Sequence, residues 1–250
     1  MRTKLPKKYY ILALAFFVVV ATFIIYNESE YGFSKWKLVK TGAIKVEVDD
    51  NEAFIFINNK KSGLSGVSKH IFSFKKLAPG EYSVLVAKSK HWPWHKKIQL
   101  EGSETIGLHP FIVPMIEKAQ IIINDTEQHK EILSKIKSVK LPTEQNRIFS
   151  PAGTYSVWVD QNEIIAEKND RTKQITVFSG KEKIKWVDFF KNRDDVVMFA
   201  FGNSMYVIEF DKNGGQNFQP LYEGTNPRFL KKDFQTLYIY DSNTLVRVSL

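Results

Sequence analysis

The sequence predicts an all-β protein with an N-terminal single transmembrane helix, a small antiparallel β-sandwich and then a sheet-rich, propeller-like region. Three observations predict this order. Residues 9–26 carry no charge, which is typical of a membrane-spanning helix. Residues 41–113 alternate between apolar and polar side chains, as strands with one buried face do. Residues 148–250 repeat a strand–turn–strand pattern at a spacing of 41 residues.

The composition narrows the possible functions. Hydrophobic residues make up 43% of the 250 residues, as in a folded protein. The absence of cysteine excludes disulfides, thiolate metal ligands and thiol nucleophiles. The net charge is +9, but lysines and acidic residues are mixed along the chain without a long basic run. Proteins that bind nucleic acid concentrate their basic residues on one face, so no nucleic-acid partner is expected.

The apolar segment Tyr9–Tyr26 determines the predicted location. As a helix it would be ~27 Å long, close to the thickness of the bilayer hydrocarbon layer. Basic residues before it and acidic residues after it place its amino terminus in the cytoplasm. We therefore predict a cytoplasmic tail (residues 1–8), a transmembrane helix (9–26) and a linker (27–40). The protein would be a single-pass protein of the cell membrane, with the bulk of the chain extracytoplasmic.

A cleaved signal peptide and a buried core helix are alternative interpretations of this segment. The segment ends in "TFIIYNESE", which lacks the small residues of a cleavage site. A core helix preceded by a basic tail is less compatible with the pattern. The sequence therefore favours an uncleaved anchor.

Residues 41–113 contain five or six short predicted strands. "AIKVEV" places Ile44, Val46 and Val48 on one face. A second strand covers residues 54–57 and is followed by a turn at Asn58-Asn59, where asparagine tolerates the left-handed conformation. "HIFSFKKLAPGEYSVLVAK" adds two strands separated at Pro79-Gly80, and "HKKIQLEG" adds the last. The pattern predicts a compact antiparallel sandwich.

The run "LAPGEYSVLVAKSKHWPWHKKIQL" resembles the PEGA-domain family of small extracytoplasmic β-sandwich modules. Its Leu-x-Pro-Gly and the aromatic-led strand that follows match at Leu77, Pro79, Gly80, Tyr82, Val84 and Val86. His91-Trp92 stands where the family has a Gly-Tyr corner. Two departures lie upstream, where residues 50–53 replace the motif that gives the family its name and Asn58-Asn59 replaces Asp-Gly. The resemblance implies a sandwich over residues 41–113 and no catalytic set.

Residues 114–147 are predicted to connect the two regions through a strand and a helix. "MIEKAQIIIND" is typical of a short strand. In "TEQHKEILSKIKSVK", apolar residues recur at helical spacing, with Asp125 or Thr126 as the N-cap and Pro142 beyond the end. The stripe that this spacing predicts consists of Ile132, Leu133, Ile136 and Val139.

Three units repeat after residue 148. Tyr155, Val196 and Leu237 occupy equivalent positions, and "FSPAGTYSVWV" resembles the opening of a β-propeller blade. Asn162, Asn203 and Thr244 mark the equivalent turns. Closed propellers have at least four blades. Three units must therefore be truncated, joined by the preceding segment or completed by another chain. An ordinary antiparallel sheet with coincidental spacing is the alternative.

Candidate ligand contacts lie in "HWPWHKK", residues 91–97. Trp92 and Trp94, two residues apart on an extended segment, would face one side and could stack on sugar rings or a protein partner. The stronger alternative is that one or both of them cover the open end of the sandwich, where the PEGA-domain family has an aromatic corner. Lys96 and Lys97 would then be solvated or lie near an anionic cell-wall polymer.

Catalytic and metal sites are not predicted. His91 and His95 are ~13 Å apart on a strand and are separated by Pro93, so they would not share a metal. The sequence contains no nucleophile-elbow context and no phosphate-binding glycine loop, and "NGG" at residues 213–215 is interpreted as a hairpin turn. We therefore predict that the protein is not an enzyme and uses no cofactor or metal.

The predicted function is binding or structural. The sequence favours a membrane-anchored extracytoplasmic protein of the bacterial cell envelope that contacts cell-wall polysaccharide or another envelope protein. One alternative is a subunit of a surface sensor or assembly complex that oligomerises through the C-terminal repeats. A third is an exported hydrolase, which would require acidic or histidine side chains that converge in space.

Overall fold

The structure, a computed structural model, describes residues 7–28, 31–34, 36–66, 70–116, 119–124 and 126–250. It is mostly β and divides into two compact units. The first consists of Met1–Glu47, Ile71–Tyr82 and Gln99–His109. The second consists of Val48–His70, Ser83–Ile98 and Pro110–Leu250. The chain therefore passes from one unit to the other several times.

The first helix, α1, runs from Lys7 to Glu28. Among the described residues, no helix is long and apolar enough to cross a membrane. The prediction of a transmembrane helix at residues 9–26 is therefore wrong. Most of the predicted cytoplasmic tail, residues 1–6, lies outside the described residues, and the location of the protein stays a prediction.

Short strands occupy residues 31–114. In chain order they are β1 (Tyr31–Ser34), β2 (Lys37–Lys40), β3 (Gly42–Glu47), β4 (Phe54–Ile57), β5 (Lys60–Leu64), β6 (Ile71–Leu77), β7 (Gly80–Ala87), β8 (His91–Trp92), β9 (Trp94–Leu100), β10 (Thr105–Leu108) and β11 (Val113–Pro114). The predicted linker thus contains the antiparallel hairpin β1–β2. The remaining strands form sheets of order β10-β3-β6, β5-β4-β7-β9 and β11-β8.

The predicted strands of residues 41–113 are present, with one difference in pairing. Ile44, Val46 and Val48 are fully buried, as their alternation predicts. Asn58 and Asn59 have φ angles of 48° and 64°, which confirms the turn. Strand β10, however, pairs with β3 in parallel, so the expectation of a purely antiparallel arrangement is wrong. The β-rich structure with its several sheets is consistent with the predicted β-sandwich.

The rest of the second unit consists of one helix and twelve strands, counted over the described residues. In chain order they are β12 (Gln120–Ile122), α2 (Glu127–Ser138), β13 (Ile148–Phe149), β14 (Tyr155–Asp160), β15 (Glu163–Lys168), β16 (Gln174–Ser179), β17 (Ile184–Phe189), β18 (Val196–Phe201), β19 (Ser204–Glu209), β20 (Phe218–Glu223), β21 (Arg228–Lys231), β22 (Thr236–Asp241) and β23 (Thr244–Ser249).

Helix α2 begins at the predicted cap. The Thr126 hydroxyl accepts a hydrogen bond from the His129 backbone N–H at 3.1 Å, while Asp125 lies outside the described residues. Ile132 and Ile136 of the predicted stripe are buried, and they cluster with Leu245 and other apolar residues of β22 and β23. The helix is therefore held against the last sheet by its apolar stripe.

The three repeats are three four-stranded antiparallel sheets, with the orders β13-β14-β15-β16, β17-β18-β19-β20 and β12-β23-β22-β21. The tight turns recur, with Gln161, Gly202 and Ser242 at φ angles of 51°, 58° and 47°. These turns are 41 and then 40 residues apart. Thr244, which was predicted to be equivalent to Asn162 and Asn203, therefore lies one residue beyond the third turn. The propeller likeness stays a prediction.

Strand β12 supplies the fourth strand of the third repeat's sheet. It comes from before the repeats and pairs with β23, with Ile121 opposite Val246. Of the outcomes that the sequence left open, completion by the preceding segment is the one observed. The sequence pattern missed β16 and β20, the fourth strands of the other two sheets, because it described only an apolar lead-in and one hairpin in each repeat. It predicted the strand in "MIEKAQIIIND" but not its pairing with β23.

Candidate functional site

Pro93 divides the segment that carries the predicted site residues. Before it, β8 pairs with β11, with Trp92 opposite Val113. After it, β9 forms the edge of the sheet β5-β4-β7-β9. Proline has no N–H to donate and so interrupts the ladder, and the Pro93 carbonyl accepts a hydrogen bond from the Gln219 side chain at 2.9 Å. Trp92 and Trp94 therefore belong to different sheets.

Trp94 and Lys96 are buried, each with 2% of its surface exposed. Both lie on one face of β9 and both reach Glu209 at the end of β19. The Trp94 indole N–H donates to one carboxylate oxygen of Glu209 at 3.1 Å, and the Lys96 ammonium donates to the other at 2.9 Å. Lys96 also donates to the Asp211 carboxylate at 2.7 Å.

Asn217 completes this set of contacts. Its backbone N–H and its side-chain amide both donate to Glu209 at 2.9 Å. We call Trp94, Lys96, Glu209, Asp211 and Asn217 the buried polar cluster. Buried charges are tolerated when they are paired and hydrogen-bonded, and here every member binds another part of the chain. The cluster therefore joins β9 to the loop between β19 and β20.

The pKa of the Asp211 carboxyl is lowered by this environment. Burial by itself raises the pKa, but the hydrogen bonds from the Lys96 ammonium and the Asn213 backbone, with the Lys96 charge, outweigh burial. Asp211 is therefore held in its charged form, as the ion pair with Lys96 requires.

The same loop covers the edge of β9. The backbone N–H of Lys97 donates to the Gly214 carbonyl at 3.0 Å, while the Lys97 side chain is exposed. Gly214 has a φ of 68°, and a Cβ atom there would lie 1.7 Å from the Lys97 carbonyl oxygen. "NGG" is thus more than a turn, because its first glycine permits close contact with the edge strand.

A groove lies beside Trp92. Trp92 is half-buried, and the groove has a volume of about 600 Å³, within the range of ligand pockets. We call it the Trp92 groove, and its lining residues are Trp92, Met115, Ile116, Asn203, Ser204, Tyr206, Pro220, Leu221, Tyr222 and Glu223. Its aromatic and apolar residues provide contact area, and Asn203, Ser204 and Glu223 provide polar groups.

The tyrosines of the groove are held by neighbouring residues. The ring of Tyr206 stacks on Phe218 with centroids 4.8 Å apart. The Tyr222 hydroxyl donates to the Asp241 carboxylate at 3.2 Å, and burial together with the Asp241 charge raises the pKa of Tyr222. Both rings are therefore fixed before any ligand arrives, which reduces the entropy lost on binding.

The four candidate residues thus have different positions. Trp92 lines the groove, Lys97 is exposed beside β9, and Trp94 and Lys96 lie within the buried polar cluster. Sequence reasoning missed Tyr206, Tyr222 and Glu223, which come from β19 and β20, more than a hundred residues from Trp92. One signal was available: Pro220 in "FQPLYE" indicates an edge strand, where a surface groove can form.

The histidines of this segment bind within the chain. His91 Nδ1 lies 2.7 Å from the Ser89 carbonyl, and His95 Nε2 lies 2.9 Å from the Ser83 hydroxyl. No group of three or more histidine, aspartate or glutamate side chains that could hold a metal occurs in the described part of the chain. Among the described residues that line the Trp92 groove, Glu223 supplies a carboxylate.

No protein-family model matches the chain, and no curated protein is significantly similar to it. The PEGA-domain resemblance therefore rests on the residues quoted above, and we argue the function from the geometry of the groove.

Proposed function

We propose that the protein is a binding protein that holds a segment of a polysaccharide chain in the Trp92 groove. The observation that carries this proposal is the half-buried Trp92 ring in a groove that also presents fixed tyrosine rings and polar side chains. Sugar rings have apolar C–H faces bounded by hydroxyl groups. An aromatic ring beside hydrogen-bonding groups suits both parts of such a ligand.

The polar groups that would bind sugar hydroxyls lie at the end of the groove formed by β19 and β20. Asn203 lies in the turn before β19, and Ser204, the first residue of β19, pairs with Glu223 at the end of β20. The Gly224 backbone donates to the Asn203 carbonyl at 2.9 Å and fixes this turn. Amide, hydroxyl and carboxylate groups are therefore held on a rigid hairpin, where they can bind sugar hydroxyls without a large loss of entropy.

Substitution of Trp92 tests the proposal. Soluble oligosaccharides of several linkages would be titrated into the wild-type protein and the Trp92→Ala variant by calorimetry. We expect about a tenfold loss of affinity, because the variant removes the stacking surface. Trp36→Ala is the matched control, since Trp36 is 99% exposed and lies outside the groove. If no oligosaccharide binds the wild-type protein, or if both variants bind equally well, the proposal is wrong.

A second candidate function, assembly with a protein partner, is favoured by strand β12. It is the outermost strand of its sheet, and Ile121 and the following Ile123 are 66% and 74% exposed. No charged residue occurs in the described stretch 119–124, although edge strands that avoid pairing usually carry one. Sedimentation velocity would test this function. An oligomer that Ile121→Asp dissociates would support it, and a monomer at high concentration would oppose it.

A further inference from the structure

We infer that the Trp92 groove selects sugars that carry a protonated amine over neutral sugars and over sugar acids. This inference rests on the proposed function and names the class of its ligand. It is carried by the charge of the groove lining, which is acidic. The sequence alone predicts that Lys96 and Lys97 are solvated or lie near an anionic polymer, which is the opposite charge preference.

Glu223 supplies the negative charge. It lines the groove and is exposed at the end of β20, and none of the described residues pairs with its carboxylate. Its backbone is fixed, because Glu223 pairs with Ser204 and Gly224 binds Asn203. A ligand amine in the groove would therefore meet a carboxylate whose backbone is held at the end of β20.

Among the described residues that line the groove there is no lysine, arginine or histidine. Lys96 is paired with Glu209 and Asp211 in the buried polar cluster, and Lys97 does not line the groove. A carboxylate on the ligand would thus meet Glu223 as a like charge, whereas an ammonium group would complement it.

The residues that line the groove also fit a sugar that carries one amine. Trp92 and Tyr206 supply aromatic side chains to the groove lining, and Asn203 and Glu223 supply polar ones. A hexosamine presents an apolar face for stacking and an amine at its rim. Because an exposed ion pair adds little in water, the expected preference for the amine is about three- to tenfold in affinity.

Calorimetric titration of the full chain tests the inference with three probes of equal length. They are β-1,4-linked oligomers of glucosamine, of N-acetylglucosamine and of a uronic acid. At about pH 6, carboxylates are ionised and amines are protonated. We expect the glucosamine oligomer to bind about three to ten times more tightly than the acetylated oligomer, and the uronic acid oligomer to bind least. Salt should weaken binding of the glucosamine oligomer alone.

The Glu223→Gln variant locates the effect. It should remove the preference for the glucosamine oligomer and leave the affinity for the acetylated oligomer unchanged. Glu182→Gln, which alters an exposed carboxylate outside the groove lining, should change neither affinity. If Glu223→Gln weakens both oligomers equally, or if the wild-type protein binds both equally well, the inference is wrong while the proposed function stands. If none of the three probes binds, the inference is wrong, and the titration of oligosaccharides of other linkages decides the proposed function separately.

Discussion

Trp92 and Trp94 are two residues apart, yet they have different environments. Trp94 is buried and donates to Glu209 in the buried polar cluster. Trp92 is half-buried and lines the Trp92 groove. Pro93 causes the difference, because it ends one strand pairing before the next begins. Two aromatic residues on an extended segment therefore need not share a surface. Trp94 makes a buried, stabilising contact, whereas Trp92 lines the groove for which we propose binding.

The largest expected effect comes from removing the anion of the buried polar cluster. Glu209→Ala would leave the Lys96 ammonium buried with only Asp211 as a charged partner and would leave the Trp94 and Asn217 donors unpaired. We expect the free energy of unfolding to fall by about 3–5 kcal/mol. Chemical denaturation would measure it, with Glu223→Ala in the groove as the control, for which a change within ~0.5 kcal/mol is expected. Equal effects of the two variants would contradict the difference between the two sites.

A second prediction concerns the loop that covers β9. Gly214→Ala would place a methyl group against the Lys97 carbonyl at a positive φ, and we expect a loss of about 2 kcal/mol or more of stability. Gly215→Ala is the control, since Gly215 also has a positive φ but nothing lies within 4 Å of its added Cβ. The difference between the two variants measures the steric contact. No difference would show that the loop is free to move away from β9.

Paired tryptophan substitutions separate the two roles more finely. Trp94→Phe keeps most of the apolar ring but removes the N–H that binds Glu209, which should cost about 1–3 kcal/mol. Trp92→Phe should cost less, since Trp92 is half-buried and makes no hydrogen bond to Glu209. Thermal unfolding of both variants would check the order. A larger loss of stability for Trp92→Phe than for Trp94→Phe would contradict the structural role of Trp94.

The smallest effect is a dependence of stability on pH. Because the pKa of Asp211 is lowered in the folded protein, its contribution is present above the ordinary aspartate pKa and is lost as the pH falls through the folded value. Unfolding measured between about pH 6 and pH 2 should therefore show a steeper loss for the wild-type protein than for Asp211→Asn. Parallel profiles for the two proteins would contradict this role of Asp211.

Local features were predictable from the sequence. The Asn58-Asn59 turn, the Thr126 cap and the buried alternation of Ile44, Val46 and Val48 depend on neighbouring residues and on well-defined backbone preferences. The hairpins of the repeats were predictable for the same reason, because their turns recur at a nearly constant spacing.

Features that depend on distant pairing were not predictable. The parallel pairing of β10 with β3 and the completion of the third sheet by β12 join segments far apart in sequence. The Trp92 groove also combines β8 with β19 and β20, and a single sequence gives no signal of which strands will be neighbours. Lys96 was expected at the surface because lysine is rarely buried unpaired, and its partners Glu209 and Asp211 could not be paired with it from spacing alone.

The most direct test of this account is to measure oligosaccharide affinity and melting temperature together in Trp92→Ala, which removes the ring, and in Trp94→Phe, which removes the N–H. The account predicts that Trp92→Ala loses affinity while it stays folded, and that Trp94→Phe retains affinity at a temperature below its lowered melting point. If Trp94→Phe loses affinity while folded, or if Trp92→Ala binds as the wild-type protein does, the division of roles between the two tryptophans is contradicted.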